Sequence, residues 1–363
     1  MRKLFSLTMV LLIAAGLVLS ACQPTAAPAP ATQAPAQPAQ PQATQAPAQP
    51  AAKALKVGLV TDVGKVDDKS FNQSAWTGVQ CAQKDLGADV KYIETTDSKD
   101  YGKNISQFGD AGYDVIVTVG FGLGDATKAA AAQYPNVKFI GVDQDQGITP
   151  TVGVAGLIFP EDQAGYLAGA LAALMSKSGQ IGAVLGTDAV PPVWRYGEGY
   201  RAGALAAKPG TKVNTVYHND VGFDKTFVDP EWGKTTATSM IDKGADVIFG
   251  AGGKTGNGAL LAGTDKGVAV IGVDTDQYNT VPEAQKALLT SAMKLITPGV
   301  CNIIKDFAAG KWTDGNVVGT VGLAPYHDWD SKVPADVKAK IDDLTKQIQS
   351  GTLKTGVSAA KPQ

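Results

Sequence analysis

Short apolar runs alternate along this chain with segments in which apolar residues recur at helical spacing. Ten runs after residue 55 predict β-strands, and the segments between many of them predict amphipathic helices. The runs are almost continuously apolar, which is typical of parallel strands in a sheet covered by helices on both faces. The helix after the first run has an apolar face made of Phe71, Ala75, Gly78, Val79, Ala82 and Leu86. The predicted strands are KVGLVTD, VKYIET, DVIVTVG, KFIGVD, GVAGLIF, IGAVLGT, KVNTVYH, DVIFGAG, VAVIGVD and LLTSAM.

One strand motif occurs twice, as IGVDQDQ at 140–146 and as IGVDTDQ at 271–277. Other segments upstream of the two copies also form pairs, in the same order and at similar spacing. The pairs are YDVIVTVGFGLGDA with ADVIFGAGGKTGNGA, and VGLVTDVG with GAVLGTDAV. A recurrence of both order and spacing indicates two similar lobes within one chain. The length of the chain after residue 54 also suits two domains better than one.

The doubled pattern predicts an α/β protein with the type I periplasmic-binding-protein fold, in which two doubly wound, Rossmann-like lobes are joined by a hinge. We expect one lobe to comprise 55–159 and about 295–325, and the other about 160–294 and 326–363. Ligands of open α/β sheets bind beyond the carboxyl ends of the strands. Four aspartates directly follow predicted strands and would meet across one cleft; they are Asp62, Asp143, Asp188 and Asp274.

The beginning of the chain has the pattern of an export signal. A basic pair precedes an apolar stretch too short for a membrane span, and residues 1–21 are predicted to be a signal peptide. Leu19-Ser20-Ala21-Cys22 resembles a bacterial lipobox, which would make Cys22 the lipidated first residue of the mature protein. The alternative is an ordinary signal with a chance cysteine. Residues 22–54 are rich in Ala, Pro and Gln and predict a flexible linker that holds the globular part away from the membrane.

Charge and cysteine content narrow the classes of partner. The net charge is −2 and no basic face is evident, so we expect no nucleic-acid partner. Besides Cys22, only Cys81 and Cys301 are present. In an oxidising exterior these two could pair, but their wide separation makes two separate buried thiols our expectation.

Motifs for catalysis or metal binding are weak. The chain has two histidines without partners at metal-ligand spacing, and no GxSxG motif. The Gly253-Lys254-Thr255 stretch has Ile248 where a phosphate-binding loop requires glycine. An acid–base pair of Asp143 and Asp145 is a further alternative, although Asp145 is predicted to lie in the following loop. We therefore expect no catalytic residue, no metal and no cofactor.

An ordered series of motifs closely resembles the basic membrane protein family, also called PnrA-like purine nucleoside receptors. The resemblance extends over about 55–350 and implies a monomeric substrate-binding lipoprotein of an ABC importer, anchored on the extracytoplasmic face of the cell membrane. Its partners would be a nucleoside, a permease and an ATPase. The motifs are VGLVTDVGKVDDKSFNQSAWTG, FIGVDQD, AGYLAGALAALMS, GYRAGA, FVDPEWGK, GADVIFGAGGKTGNGA, VIGVDTDQ and LLTSAMK.

The resemblance also implies which aromatic residues bind the base. Phe71 matches the stacking residue of the first lobe, although it also begins the apolar face of its helix. Phe227 matches the stacking residue of the second lobe, with Phe223 and Trp232 as alternatives. The segment HNDVGFDKTFVDPEW is longer than the family pattern, and this leaves the choice among the three open.

The polar residues of the site follow from the same resemblance. Asp143 corresponds to a base-reading aspartate, with Asp62 and Asn72 as polar contacts near it. Asp274 corresponds to a ribose-binding carboxylate, and Lys294 would donate to the ribose. We expect Asp68 to cap the first helix, whose N-terminal N–H groups would face the ligand. The second aspartate of each DxD pair is predicted to cap a turn.

Three other functions remain open from the sequence. The same fold could bind a sugar or another small solute, because sugar sites also use aspartates and aromatic rings. A nucleoside hydrolase would use the same pocket with an added acid or base. A surface antigen or adhesin with a vestigial cleft is the third.

Overall fold

A computed structural model describes residues 54–362, so the predicted signal peptide, Cys22 and nearly all of the predicted linker lie outside the described residues. Twelve strands in this range form two six-stranded sheets. The strands are β1 (Lys56–Val63), β2 (Asp89–Thr95), β3 (Val115–Val119), β4 (Lys138–Val142), β5 (Val154–Ile158), β6 (Gln180–Leu185), β7 (Lys212–Tyr217), β8 (Val247–Ala251), β9 (Ala269–Asp274), β10 (Leu288–Lys294), β11 (Gly315–Val318) and β12 (Val321–Leu323).

The two sheets have the same strand order, which confirms the predicted duplication. The first sheet runs β2-β1-β3-β4-β5-β11 and the second runs β7-β6-β8-β9-β10-β12. The first five strands of each sheet are parallel and in the 2-1-3-4-5 order of doubly wound folds. The last strands differ, because β11 is parallel to β5 whereas β12 is antiparallel to β10.

Helices cover both faces of each sheet. Leu59 and Val60 of β1 are buried on opposite faces and belong to different apolar clusters, as expected for a strand with helices on both sides. The helices are α1 (Phe71–Leu86), α2 (Tyr101–Asp110), α3 (Gly124–Gln133), α4 (Glu161–Met175), α5 (Pro191–Ala207), α6 (Phe223–Thr226), α7 (Pro230–Asp242), α8 (Gly253–Lys266), α9 (Gln277–Thr280), α10 (Ile296–Ala308) and α11 (Ala335–Gln349). Four short 3-10 helices lie at Ser98–Asp100, Phe121–Leu123, Pro282–Ala284 and His327–Lys332.

The chain passes between the lobes three times, after β5, after β10 and between β11 and β12. Helix α4 packs in the core of the second lobe, whereas α10 returns to the core of the first. The third passage comes earlier than expected. We placed about 295–325 in the first lobe, but β12 pairs with β10 in the second sheet.

All ten strands expected from the apolar runs are present, whereas β11 and β12 were not predicted. Both are short, and neither has more than one buried residue, so they carry little of the apolar pattern that marks a strand. The predicted apolar face of α1 is also largely buried. Its last member, Leu86, is an exception at 39% exposure, because it lies in the final turn before Gly87 ends the helix in a left-handed conformation.

The structure corrects one expectation, since Cys81 and Cys301 form a disulfide rather than two separate thiols. Cys81 lies on α1 and Cys301 on α10, with their Cα atoms 5.7 Å apart. The two helices approach closely at Gly78, where an added Cβ would lie 2.7 Å from Val300. This contact between segments far apart in sequence brings the cysteines together and could not be read from their spacing.

Candidate functional site

A cavity lies between the two lobes, at the carboxyl ends of both sets of parallel strands. It spans about 760 Å³ of empty space, part of it open to solvent. All eight predicted ligand-binding residues line this one cavity. They are Asp62, Asp68, Phe71, Asn72, Asp143, Phe227, Asp274 and Lys294.

Asp68 caps the helix that begins at the cavity. Its carboxylate accepts hydrogen bonds from the backbone N–H groups of Ser70, Asn72 and Gln73, at 2.9, 2.9 and 3.1 Å. Burial raises the pKa of Asp68 to about 6, although these three N–H groups oppose the shift. Asp68 thus fixes the start of α1 and, with it, the positions of Phe71 and Asn72.

Asp62 and Asn72 form a polar wall on the first lobe. Asn72 Nδ2 donates to Asp62 Oδ1 at 3.3 Å. Asn72 Oδ1 is buried and has no hydrogen-bond partner among the described residues. Burial, opposed by the hydrogen bond from Asn72, raises the pKa of Asp62 to about 8.

The first aspartates of the doubled motif share an unusual backbone conformation. Asp143 has φ 62° and Asp274 has φ 64°, in the left-handed region that Asp adopts more readily than most residues. The chain turns sharply at the end of each strand as a result. Both side chains are more than nine-tenths buried and project into the cavity.

The carboxylate of Asp143 pairs with Lys294, the last residue of β10, on the other lobe. Lys294 Nζ lies 2.7 Å from Asp143 Oδ2 and 3.3 Å from Glu161 Oε1. Burial alone would lower the pKa of Lys294, but Asp143, Glu161 and Asp274 together raise it above its ordinary value, so the ammonium is charged. The second oxygen, Asp143 Oδ1, is buried and has no partner among the described residues.

Asp274 is paired differently. Its Oδ2 accepts a hydrogen bond from the hydroxyl of Ser70, on the first lobe, at 2.6 Å. Burial raises the pKa of Asp274, while Lys294 and the Ser70 hydroxyl lower it. Each aspartate thus contacts a residue of the opposite lobe.

Phenylalanine rings from both lobes line the cavity. Phe71 is the first residue of α1, and Lys294 Nζ lies 4.8 Å from the centroid of its ring. On the second lobe, Phe223 and Phe227 meet edge to face with centroids 5.8 Å apart, and both line the cavity. Trp232 does not; it stacks on His218 at 4.0 Å. The structure removes Trp232 from the three stacking candidates and leaves the other two.

The loop between β1 and α1 connects the lobes in a closed arrangement. We call residues 64–70 the closing loop. Four of its consecutive residues, 67 to 70, contact the second lobe. These contacts are Asp67 with Lys254 at 3.1 Å, the Asp68 carbonyl with Asn257 at 2.8 Å, the Lys69 carbonyl with Gln277 at 3.2 Å and with Thr280 at 2.8 Å, and Ser70 with Asp274 at 2.6 Å.

The second aspartate of each DxD pair is structural, as predicted. Asp145 Oδ1 accepts from the backbone N–H of Gly147 at 2.8 Å and from Asn316 Nδ2 at 2.7 Å. Asp276 accepts from the N–H of Tyr278 and lies 2.7 Å from His327 Nε2. Neither lines the cavity, so an acid–base pair of Asp143 and Asp145 is not assembled.

Several residues near the cavity were not predicted. Tyr196 lines it and donates to the carbonyl of Ala292 at 3.2 Å. Glu161 and Arg195 lie behind Lys294, and Phe121 is on the rim. The one feature of the sequence that could have pointed to them is that each is a charged or aromatic residue in a stretch otherwise rich in glycine and apolar residues.

Among the described residues, one group of side chains could supply three metal ligands: Cys81, Asp85 and Cys301. The two cysteines are bonded to each other, so their sulfurs are not available as thiolates. This group lies on the outer helices α1 and α10, away from the cavity.

Fold and cleft together define a two-lobed solute-binding protein. A solved ABC transporter solute-binding protein from Aeropyrum pernix superposes with a TM-score of 0.74 at 25% identity, covering 83% of this chain and 92% of that one. The family model described as "ABC transporter substrate-binding protein PnrA-like" matches residues 55–325. The chain belongs to this family of ABC transporter substrate-binding proteins.

Two relatives illustrate the family. A protein of Listeria monocytogenes named "CD4+ T-cell-stimulating antigen" is 31% identical, over 97% of this chain and 98% of its own. A protein of Lactococcus lactis named "ABC transporter nucleoside-binding protein BmpA" is 33% identical, over 81% of this chain and 88% of its own. Between residues 54 and 362, no helix has the length and apolar content that crossing a bilayer requires.

Proposed function

We propose that this protein is a lipid-anchored receptor on the extracytoplasmic face of the membrane that binds purine nucleosides and delivers them to an ABC permease. Membership in a family of ABC substrate-binding proteins supports the transport role. The name of the Lactococcus lactis relative supports a nucleoside as ligand. The described site supports it independently, through the chemistry of the cavity wall.

The observation that carries the proposal is a pair of buried acceptors, Asn72 Oδ1 and Asp143 Oδ1, which have no hydrogen-bond partner within residues 54–362 and belong to side chains of a cavity lined by phenylalanine rings. A buried acceptor without a hydrogen bond costs about 1–3 kcal/mol, so a ligand with N–H donors would relieve both. The edge of a purine base carries such donors, and its flat face stacks on aromatic rings for about 1–3 kcal/mol per base. A free sugar offers hydroxyl donors but no planar aromatic face.

We assign the base to the polar wall of the first lobe. Asp143 would accept from the base edge, with Asp62 and Asn72 beside it. Phe71 would stack on one face of the ring, and Phe227 or its neighbour Phe223 on the other. Stacking from both lobes needs rings on both sides of the cavity, and the phenylalanines are distributed in this way.

We assign the ribose to the second lobe. Asp274 would accept from the two ribose hydroxyls, and Lys294 would donate to one of them. Both are buried at the carboxyl end of neighbouring strands, β9 and β10. A ligand held in this way contacts both lobes and favours the closed arrangement by the contacts it gains there. The permease would recognise the closed form, and the ATPase would supply the energy.

The proposed anchor rests on the lipobox-like end of the predicted signal peptide, residues 1–21. Cys22 would carry the lipid, residues 22–54 would be a flexible tether, and the receptor would act as a monomer. In its natural host, Cys22→Ser should release the protein from the membrane fraction. Intact mass spectrometry of the wild type should show an acyl-modified Cys22, and an unmodified residue 22 in a membrane-free protein would contradict the anchor.

The function is tested by purifying the protein without added ligand and measuring its mass under native conditions. We expect a co-purified purine nucleoside. After removal of that ligand by unfolding and refolding, inosine and guanosine should raise the melting temperature, whereas ribose and galactose should not. Stabilisation by a free sugar alone would favour a sugar receptor. Steady release of hypoxanthine from inosine would favour a hydrolase.

A further inference from the structure

Behind the ligand cavity lies a buried ion pair that does not line it. Glu161 has no exposed surface. One of its carboxylate oxygens, Oε2, accepts from Arg195 Nε at 2.7 Å and lies 2.6 Å from Arg195 Nη2. The other, Oε1, lies 3.3 Å from Lys294 Nζ. The guanidinium therefore fixes Glu161, and Glu161 contacts the lysine that reaches the cavity.

The fold holds this pair in place through an unusually close helix crossing. Glu161 is the first residue of α4, directly after the first passage between the lobes, and Arg195 lies on α5. A Cβ added at Gly165 would overlap the carbonyl oxygen of Tyr196, and one added at Gly199 would overlap that of Asp162. Glycines at both positions let the helix backbones touch, which brings the carboxylate and the guanidinium together. Arg195 Nη1 also donates to the carbonyl of Ala359 at 2.9 Å.

The geometry around Lys294 leaves one hydrogen for a ligand. An ammonium has three N–H donors. Asp143 Oδ2 and Glu161 Oε1 each accept one of them, at 2.7 and 3.3 Å. A lysine side chain has four rotatable bonds, and a single partner would let the head rotate about that contact. Two acceptors on different elements determine the direction of the third N–H.

We propose that Glu161 and Arg195 are positioning residues, which hold the Lys294 ammonium so that its remaining N–H points at a ribose hydroxyl of the ligand. The inference rests on the proposed nucleoside function and adds two residues that do not touch the ligand. Arg195 acts on Glu161, and Glu161 acts on Lys294. The pair confers preference for a ribose over a deoxygenated sugar, rather than affinity for the base.

The test compares two ligands that differ only in the hydroxyls, inosine and 2′,3′-dideoxyinosine, by calorimetric titration of the full chain. Glu161→Gln should weaken inosine binding about tenfold, which is within the range of coupling energies between residues in contact. It should weaken dideoxyinosine binding by no more than about twofold. In a Lys294→Met background, Glu161→Gln should have no further effect on inosine. Glu198→Gln is the matched control, because Glu198 lies on α5, as Arg195 does, but pairs with Arg201 at 3.5 Å, outside the cavity.

Removing one partner of a buried pair can destabilise a protein, so a second variant is needed. Glu161→Gln combined with Arg195→Gln removes both charges and keeps their balance, and should show the same selective loss for inosine. Equal weakening of the two ligands, wild-type inosine binding by the double variant, or a loss that persists without Lys294 would each overturn the inference. If the wild type binds neither ligand, the proposed function itself fails.

Discussion

The two copies of the IGVD strand end have the same backbone but different partners. Asp143 and Asp274 adopt nearly the same left-handed conformation, and each contacts the opposite lobe. Asp143 pairs with the Lys294 cation and keeps one buried oxygen without a partner among the described residues. Asp274 pairs with the neutral hydroxyl of Ser70. The carboxylate occupies the same position in both copies, and the opposing lobe gives each one a different partner.

The supporting glutamines show how the duplicated backbone is maintained. In the first copy, the side chain of Gln144 packs against Gly141 and donates to the carbonyls of Thr118 and Gly120, both at 3.1 Å. In the second copy the same space is filled by Gln277, whose Oε1 accepts from the N–H of Val273 at 2.9 Å. A Cβ on the glycine of either IGVD motif would overlap this glutamine, so each motif needs its glycine. Equivalent structural roles have moved to different positions, while the first aspartate has not.

The largest expected effect comes from neutralising Asp143. Asp143→Asn should weaken inosine binding about 100-fold, because hydrogen bonds to charged groups contribute about 1.5–3 kcal/mol and Lys294 also loses its closer partner. Isothermal titration measures the binding of both ligands. Dideoxyinosine binding should also weaken, but less than inosine binding, because only inosine has the ribose hydroxyls that Lys294 is positioned to bind. Unchanged binding of either would remove Asp143 from the base site.

A smaller and more selective effect is expected from Asp274. Asp274→Asn should weaken inosine binding about tenfold, within the range of hydrogen bonds to charged groups, and leave dideoxyinosine within about twofold. The Ser70 hydroxyl can still donate to the new amide oxygen, so the contact between the lobes is kept. The same titrations measure it. A loss shared equally by both ligands would mean that the two aspartates do not divide base and ribose.

The comparison extends to the first strand of each lobe, where Asp62 and Asp188 are counterparts. Asp62 faces the cavity with its pKa raised to about 8 from an ordinary 3.8, whereas Asp188 lies outside it and pairs with Lys361 at 2.7 Å. A carboxyl whose pKa is higher in the folded than in the unfolded protein contributes stability that is fully present below the unfolded pKa. This stability is lost as the pH rises through the folded pKa of about 8. Asp62→Asn should therefore gain stability relative to the wild type between pH 5 and 9.

Urea unfolding of the ligand-free protein at pH 5, 7 and 9 measures this difference. We expect a gain of about 1 kcal/mol, less than the full shift implies, because the Asp62 side chain is only partly buried. Asp188→Asn, which removes a carboxylate outside the cavity, is the control variant. A constant difference between Asp62→Asn and the wild type across this range would contradict a raised pKa for Asp62.

The smallest effect is expected at the closing loop. Ser70→Ala removes one neutral donor to Asp274 and leaves the contacts of Asp67, Asp68 and Lys69 with the second lobe. Inosine affinity should fall about threefold. The loss is smaller than the full value of a hydrogen bond to a charged group, because a ligand hydroxyl partly replaces the lost donor. Stopped-flow measurement should place most of this loss in the dissociation rate. A loss larger than that of Asp274→Asn would show that Ser70 itself binds the ligand.

Much of the fold was predictable because duplication and strand periodicity are both visible in one sequence. Ten strands and the matching lobes follow from apolar runs and repeated motifs. The short strands β11 and β12 were missed because they bury almost no side chains, and the disulfide was missed because it joins segments far apart in sequence. Gly78 permits the contact that joins Cys81 to Cys301, and nothing in its neighbourhood marks it as different from other helix glycines.

The site was predictable where a residue lies at the carboxyl end of a strand. Asp62, Asp143 and Asp274 owe their positions to strand ends, and Lys294 ends a strand itself. Glu161 and Arg195 were not found, because an acidic residue at a helix start ordinarily indicates favourable interaction with the helix dipole at the surface. Its complete burial follows only from the packing of α4 against α5.

The most direct test of the central claim is a crystal structure of the protein with inosine bound. We predict the hypoxanthine ring between Phe71 and a phenylalanine of the second lobe, its edge within hydrogen-bond distance of Asp143, and the ribose hydroxyls on Asp274 and Lys294. The opposite orientation, with the ribose at Asp143, or inosine bound outside the cavity, would contradict the division of labour between the two strand ends.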